Sequence, residues 1–278
     1  MTTFQALFLG LIQGITEFLP VSSSGHLSIF QNFFGMTTAE QGHQFFDVLL
    51  HFGTLVSVCV FYWNDIVGIV RDCVGMVRSV GHPVPGEKKR FSGARLLLMI
   101  VMATLPLFLV LPLQDYIEKL YYSTAFIGIA LIATGGMLFA SDRMPRGEKT
   151  EKNIRIRDAL LIGLCQAVAT MPGLSRSGTT ITAGIATGLD RRFAVKFSFL
   201  ISIPAVLGAN LLAFIKALKA DTDWSLMPRY LLGMLVAMVS GYFALRLLRY
   251  IAQKGRFGWF AYYCWAAGAI TILLTFLL

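Results

Sequence analysis

Two polar stretches with side chains suited to acid–base and anion-binding chemistry lie inside apolar segments of the sequence. Residues 10–26 read GLIQGITEFLPVSSSGH, and residues 163–179 read GLCQAVATMPGLSRSGT. They align at an offset of 153 positions, with a one-residue slip at Pro20 and Pro172. Each reads as a short apolar helix, a proline break and a Ser/Gly turn that opens a second helix. Irregular backbone is tolerated at membrane depth only when buried in protein or lining a wet cavity, so we predict that the two turns meet and form a site.

Glu17 is the carboxylate of the first stretch. It follows Gln13 by four residues, so the two side chains share one helix face. A charged side chain near the centre of a bilayer costs roughly 3 kcal/mol, and such groups are usually functional or paired. We predict that Glu17 is a general base or a metal ligand, with Gln13 as a second ligand. The alternative is a solvated carboxylate near the outer surface.

Three serines and a histidine follow the proline of the first stretch. A helix start offers unpaired N–H groups and a positive dipole end, which together favour an anion. We predict that Ser22 and Ser24 bind phosphate, that Ser23 is catalytic and that His26 transfers a proton. The alternatives are ordinary capping, which accounts for one serine, and a hydrogen-bonded structural histidine.

The second stretch adds a guanidinium to the same arrangement. Arg176 is the basic residue deep in this segment, and an arginine fork suits phosphate oxygens. We predict that Ser175, Arg176, Ser177 and Thr179 bind phosphate. The alternative for Arg176 is a structural ion pair with Glu17 that locks the two turns together. The combined set indicates phosphate chemistry, with Mg²⁺ or Ca²⁺ as the cofactor because these cations take oxygen ligands.

The composition is that of a polytopic membrane protein. Mean hydropathy is +0.67, with 56% hydrophobic and only 14% charged residues. A span needs roughly 20 apolar residues. Six segments qualify, at about 45–64, 94–113, 122–141, 193–215, 229–248 and 258–278. The start of the chain lacks the pattern of a secretory signal, so we expect the first helix to be retained.

The basic residues give the orientation. The net charge is +9, but Lys and Arg concentrate between spans, in loops 65–93, 142–158 and 249–257, while loops 114–121 and 216–228 hold few. This asymmetry places the first set of loops in the cytoplasm. We therefore expect a lipid bilayer as the environment and no nucleic acid partner.

The order of spans then predicts two re-entrant hairpins. Segments 3–35 and 156–189 are interrupted too early to cross, and they dip in from opposite faces with both termini outside. The predicted fold is one all-α membrane domain, 1–278, with six transmembrane helices plus two re-entrant helix–loop–helix hairpins. Repeats at about 1–141 and 156–278 have inverted topology. His51 and Asp47, four apart at the outer start of a span, are expected to be boundary residues, and the alternative is that they touch the site.

The two polar stretches resemble those of the bacterial undecaprenyl-diphosphate phosphatase family of the bacitracin-resistance type. The resemblance is carried by residues 14–26 and 172–179, and by residues 46–54 and 197–204. It extends over the whole chain, including its length and the placement of the spans. The family pattern has Glu or Gln four residues before the essential Glu, and this chain has Gln13.

The resemblance implies an enzyme that hydrolyses undecaprenyl diphosphate to undecaprenyl phosphate and inorganic phosphate on the outer side of the bacterial cytoplasmic membrane. It implies that the lipid carrier is recycled for cell-wall polymers, with bacitracin resistance as a result. It carries over Glu17 as the essential carboxylate, His26 as catalytic, and Ser22 to Ser24 as phosphate-contacting or nucleophilic. It also carries over Ser175, Arg176 and Ser177 as a phosphate clamp. A homodimer is a further expectation.

Two questions stay open at the level of sequence. The nucleophile is either Ser23 or a water activated by Glu17 and His26. The competing function is a secondary transporter or flippase for a polyprenyl phosphate lipid, because inverted repeats with broken helices are also typical of transporters.

Overall fold

The computed structural model describes residues 1–33, 44–80, 92–218 and 224–277, and these residues form helices joined by turns and short loops. Within these ranges β pairing is limited to a single bridge between Lys149 and Leu189. The α-helices are α1 Thr3–Phe18, α2 Ser23–Phe33, α3 Gln44–Phe61, α4 Trp63–Val80, α5 Ser92–Thr104, α6 Gln114–Leu120, α7 Thr124–Arg143, α8 Ile156–Val168, α9 Arg176–Ala186, α10 Arg191–Leu218, α11 Met227–Lys254 and α12 Gly258–Leu277. Two 3₁₀ segments, Leu105–Leu113 and Trp224–Leu226, connect them. The predicted all-α class is confirmed.

Five helical stretches of the described residues are long and apolar enough to cross a membrane. They are Ser92–Leu120, Thr124–Arg143, Arg191–Leu212, Trp224–Lys254 and Gly258–Leu277. A sixth candidate is the pair Phe45–Phe61 and Trp63–Arg78, which is bent by 71°. The chain is therefore a multi-pass membrane protein with five or six spans, and each of the six predicted segments falls on one of these stretches.

Among the described residues, four helices that belong to none of these stretches are too short to span. These are α1 and α2, which flank Pro20, and α8 and α9, which flank Pro172. Proline has no N–H to donate and its ring clashes with the preceding turn, so each helix ends before it. Each pair thus forms the helix–turn–helix unit that the sequence predicts.

Close packing holds the short helices among the long ones. Helix α1 packs against α11 and α3, and α8 packs against α5 and the 3₁₀ segment that follows α5. A Cβ added to Gly10 would collide with the backbone of Gly233, and one added to Gly163 would collide with the backbone of Ala103. Only glycine allows backbones to approach this closely. Gly10 and Gly163, which are equivalent in the two stretches, therefore both make close backbone contacts, the first with α11 and the second with α5.

The end of α1 is fixed by aromatic packing. Phe18 is buried, and its ring meets the edge of Phe199 on α10 at a centroid distance of 5.6 Å. Edge-to-face pairs of this kind are favourable in addition to the area they bury. This packing sets the position of Glu17, the preceding residue.

Candidate active site

The first turn presents a serine at the start of a helix. Ser22 has φ of 70°, a left-handed conformation that is uncommon outside glycine. Its Oγ accepts the N–H of Gly25 at 3.3 Å, so it caps the helix that begins at Ser23. Backbone strain at a turn is retained where the surroundings enforce it. The turn leaves Ser23 as the first residue of α2.

The second turn repeats this arrangement one repeat later. Ser175 is the N-cap of α9, and its Oγ accepts the N–H of Gly178 at 3.1 Å. Gly173 has φ of 85° and lies so close to Ile127 that a Cβ would collide with its backbone. At the offset of 153 positions Ser22 corresponds to Ser175, and Ser23 to Arg176. The first helical position therefore carries a hydroxyl in one hairpin and a guanidinium in the other.

Glu17 joins the two turns. Its Oε1 accepts from Nη2 of Arg176 at 2.5 Å, and its Oε2 accepts from Oγ of Ser23 at 2.6 Å and from Nε2 of Gln13 at 2.9 Å. The carboxylate is buried, and a buried charge needs both an opposite charge and hydrogen bonds to be stable. The two predicted turns do meet, and the ion pair weighed above as an alternative role for Arg176 is present.

His51 belongs to this cluster, although the sequence analysis placed it at a boundary. Its Nδ1 lies 2.9 Å from Nε2 of Gln13 and 3.6 Å from Oε2 of Glu17. The amide of Gln13 donates to both neighbours, so the neutral imidazole accepts at Nδ1 and carries its proton on Nε2. The signal available in the sequence was the spacing of His51 from Asp47, but that spacing does not show that this face of α3 turns toward α1.

A cavity of about 590 Å³ opens beside the cluster. Its polar wall includes Glu17, Ser23, Ser24, His51, Ser175 and Arg176. Its apolar wall is formed by the 3₁₀ segment and by the second half of α10, including Leu107, Phe108, Val110, Leu111, Val206, Leu211 and Leu212. Phe108, Leu111, Leu211 and Leu212 are among the exposed large hydrophobic side chains. One cavity thus combines an anion-binding wall with a wall suited to a hydrocarbon chain.

The other predicted site residues lie behind this wall. Gln13, Ser22, His26, Ser177 and Thr179 are buried and do not line the cavity. The hydroxyl of Ser177 donates to the carbonyl of Leu19 at 3.3 Å, which joins the second turn to the first. These residues support the turns in the structure, and their predicted catalytic or phosphate-binding roles stay predictions.

His26 has partners for both ring nitrogens. Nδ1 donates to the carbonyl oxygen of Ser22 at 2.7 Å, and Nε2 lies 2.7 Å from the hydroxyl of Tyr263. The two rings also stack at a centroid distance of 5.7 Å. In the neutral ring Nε2 accepts the Tyr263 proton, so no lone pair is left for another group.

Tyr121 supports the first turn from the other side. Its hydroxyl hydrogen-bonds with Ser24, and burial raises the pKa of this phenol to about 12. The phenol therefore keeps its proton at neutral pH and can donate to Ser24. Tyr121 and Tyr263 both lie far from the two stretches in sequence, and no spacing pattern indicated either of them.

The residues at the site offer one carboxylate to a hard divalent cation. Mg²⁺ and Ca²⁺ take about six or more oxygen ligands, yet no cluster of three or more His, Cys, Asp or Glu side chains suited to a metal occurs in the described part of the chain. Both oxygens of Glu17 already accept hydrogen bonds, while Oε1 of Gln13 is buried and has no partner among the described residues. This donor set fits a cation shared with a phosphate ligand, and it does not form a complete protein cage.

The chain matches known proteins over nearly its full length. A family model described as bacitracin resistance protein BacA matches residues 6–270. A protein of Carboxydothermus hydrogenoformans named undecaprenyl-diphosphatase is 39% identical over 278 residues, which cover 99% of this chain and 97% of the relative. A protein of the same name from Methanosphaera stadtmanae is 37% identical, and the match covers 98% of this chain and 98% of the relative. Another, from Alkaliphilus metalliredigens, is 39% identical, and the match covers 100% of each.

Proposed function

The chain belongs to the bacitracin resistance protein BacA family, and on that premise we propose that it is an undecaprenyl-diphosphatase. It hydrolyses undecaprenyl diphosphate to undecaprenyl phosphate and inorganic phosphate, and so returns the lipid carrier to cell-wall synthesis. The observation that carries this function is Glu17, which holds Ser23 and Arg176 together at a cavity with one polar and one apolar wall. The polar wall suits the diphosphate and the apolar wall suits the polyprenyl chain.

Phosphate release tests this function against a transporter of the same architecture. Purified wild-type protein in detergent should release inorganic phosphate from undecaprenyl diphosphate, because hydrolysis needs no gradient. A transporter or flippase would release none under these conditions.

We propose Ser23 as the nucleophile and Glu17 as its base. The 2.6 Å contact between Oγ of Ser23 and Oε2 of Glu17 is within proton-transfer reach. Glu17 takes the hydroxyl proton as Oγ attacks the terminal phosphorus, and the bond from that phosphorus to the bridging oxygen breaks. Undecaprenyl phosphate leaves with the bonding electrons, and the terminal phosphoryl group stays on Ser23. Glu17 passes its proton to solvent and then deprotonates a water, which attacks the same phosphorus as the bond from that phosphorus to Oγ of Ser23 breaks. Inorganic phosphate is released, and Glu17 returns the water proton to Oγ of Ser23.

Arg176 and the helix starts stabilise the phosphoryl charge. A guanidinium has five N–H donors, and Nη2 is the nitrogen held by Glu17, so further donors are available to a ligand. Arg176 lines the cavity. The first turns of α2 and α9 contain N–H groups that have no partner within their own helix, and such groups favour an anion. Preorganised donors of this kind supply most of the barrier reduction in phosphoryl transfer.

Arg176→Lys keeps the charge and loses the fork. We expect hydrolysis to fall at least about tenfold, or about 1.4 kcal/mol of transition-state stabilisation, because an ammonium cannot hold Glu17 and a phosphate in the same plane. Steady-state kcat/KM measures this loss. Arg157→Lys, at an exposed arginine on α8, is the control. Turnover near the wild-type value in Arg176→Lys would reduce the residue to a point charge.

For His26 we propose a positioning role. The ring holds the carbonyl of Ser22 through Nδ1, and that carbonyl belongs to the strained turn next to Ser23. Proton transfer by His26, as predicted from the sequence, would need one of its nitrogens to leave its partner.

Removing the imidazole separates these two roles. We expect His26→Ala to lower kcat about tenfold through loss of a buried hydrogen bond, while the pH–rate profile keeps its shape. His26→Asn should recover most of the rate, since its amide can donate to the same carbonyl. Loss of a limb near neutral pH in His26→Ala would instead support the acid–base role.

We propose that a divalent cation, Mg²⁺ or Ca²⁺, enters with the diphosphate. Glu17 at the cavity wall and, behind it, Oε1 of Gln13 are the protein oxygens that would hold the cation, and it would need further oxygen ligands from the phosphate and from water. When bound, such a cation would neutralise charge on the phosphoryl oxygens.

We propose that the two halves are inverted repeats, each with one re-entrant hairpin. The offset of 153 positions supports this, as do the matched contacts of α1 with α11 and of α8 with α5. The distribution of Lys and Arg supports an orientation in the cytoplasmic membrane with the cavity open to the outer side. Formation of a homodimer stays a prediction.

Thiol labelling tests the orientation. In a background without the four native cysteines, single cysteines at positions 2 and 118 should react with a membrane-impermeant reagent added outside. A cysteine at position 148 should react only after the membrane is opened, because it lies in a loop rich in basic residues. Labelling at 148 in intact cells would reverse the assignment.

A further inference from the structure

Two amide side chains on the cavity wall have unsatisfied polar atoms. Gln166 is 1% exposed, it lines the cavity, and neither its Nε2 nor its Oε1 has a hydrogen-bond partner in the described structure. Asn210 lines the same cavity, and its Nδ2 is likewise buried and unpaired among the described residues. Buried amides without partners destabilise a fold, so such groups need an explanation such as a ligand.

The internal repeat shows why Gln166 has no partner in the described part of the chain. Gln13 and Glu17 are four apart on α1 and bonded to each other at 2.9 Å. The corresponding pair in the second half is Gln166 and Thr170. Thr170 donates its hydroxyl proton to the carbonyl of Ala167, so the glutamine is left facing the cavity alone.

The two amides come from different segments of the cavity lining, one next to the polar wall in sequence and one within the apolar wall. Gln166 lies near the end of α8, and Ala169 and Thr170 in the turn that follows it line the same cavity, as do Ser175 and Arg176. Asn210 lies on α10, between Val206 and Leu212 of the apolar wall. The terminal phosphoryl group is assigned to Ser23 and Arg176, and the polyprenyl chain to the apolar wall. The phosphate attached to that chain must lie between them.

We propose that Gln166 and Asn210 bind the phosphate that remains on the lipid. The inference rests on the proposed function. Nε2 of Gln166 and Nδ2 of Asn210 donate to its oxygens, and Oε1 of Gln166 accepts from the hydroxyl that a phosphate monoester carries below its second pKa of about 6. The charge on this phosphate increases when the anhydride bond breaks, so the same donors hold the leaving group and the lipid product.

Ligand titration of Gln166→Leu tests this subsite. Undecaprenyl phosphate and inorganic phosphate are titrated separately into wild-type protein, Gln166→Leu, Asn210→Leu and the control Gln253→Leu, an exposed glutamine near the end of α11. We expect Gln166→Leu to bind undecaprenyl phosphate about tenfold more weakly, the loss typical of a hydrogen bond to a charged group. Its affinity for inorganic phosphate should be unchanged, because that ligand binds at Ser23 and Arg176.

Thermal unfolding of the same variants separates a ligand site from a structural role. Leucine removes an unpaired buried amide, so the Tm of Gln166→Leu should equal or exceed that of the wild type. Wild-type affinity for undecaprenyl phosphate in Gln166→Leu would overturn the proposal. Equal weakening of both ligands, or a lowered Tm, would overturn it as well.

The test does not depend on catalysis. Failure of the proposed function appears as wild-type protein that releases no phosphate from undecaprenyl diphosphate. Failure of this inference appears as unchanged binding in Gln166→Leu, whether or not the wild type hydrolyses its substrate.

Discussion

Glu17→Gln should lower the rate of undecaprenyl diphosphate hydrolysis by about 100- to 10,000-fold, the usual contribution of a positioned general base. The substituted amide cannot take the proton of Ser23, which lies 2.6 Å from the carboxylate. It also removes the charge that holds Arg176 in place. Phosphate release at saturating substrate measures the effect on kcat.

Glu148→Gln is the matched control, since it makes the same change at an exposed carboxylate in the polar loop after α7. It should hydrolyse at the wild-type rate. Circular dichroism of Glu17→Gln should show the helix content of the wild type, which separates loss of chemistry from loss of the fold. A rate in Glu17→Gln within a few-fold of wild type would remove the carboxylate from the mechanism.

Ser23→Ala should lower hydrolysis at least about a thousandfold, because loss of a nucleophile removes a step that no other group performs. Ser24→Ala is the matched comparison. Ser24 is the next residue, it lines the same cavity and it contacts Tyr121 instead of Glu17, so its loss should cost no more than about tenfold. Initial rates of phosphate release from the two variants measure the difference.

A reversed order of these two variants would move the nucleophile to Ser24. Equal and small losses in both would favour a water as the nucleophile, with the serines as phosphate ligands. The contact of Ser23 with Glu17 therefore leads to a specific ranking of adjacent serines.

The parts of the site that sequence predicts are those with local signals. Pro20 and Pro172 each end a helix for a reason confined to their own backbone, and both breaks are present. Glu17 and Arg176 are ionisable groups in apolar segments, which favours a mutual partner, and the structure pairs them. The six apolar segments could be identified because the thickness of the bilayer sets the number of consecutive apolar residues that a span needs.

The parts that sequence does not predict depend on tertiary contacts. His51 reaches Gln13 because α3 packs against α1, and Tyr263 reaches His26 across the fold from α12. The bend of 71° between the helices on either side of Tyr62 carries no proline or glycine at the break, so no local signal marks it. The sequence shows that the second repeat has a threonine where the first has Glu17. Only the structure shows that the amide of Gln166 is buried and has no partner among the described residues.

The stereochemical course at the terminal phosphorus tests the central claim most directly. An analogue of undecaprenyl diphosphate, whose terminal phosphorus carries sulfur and two different oxygen isotopes, is hydrolysed by the wild-type protein in water of the third oxygen isotope. The configuration of the released thiophosphate is then determined. Attack by Ser23 followed by attack of water is two in-line displacements, each of which inverts the centre, so we predict net retention. Net inversion would show a single displacement by water and would contradict Ser23 as the nucleophile.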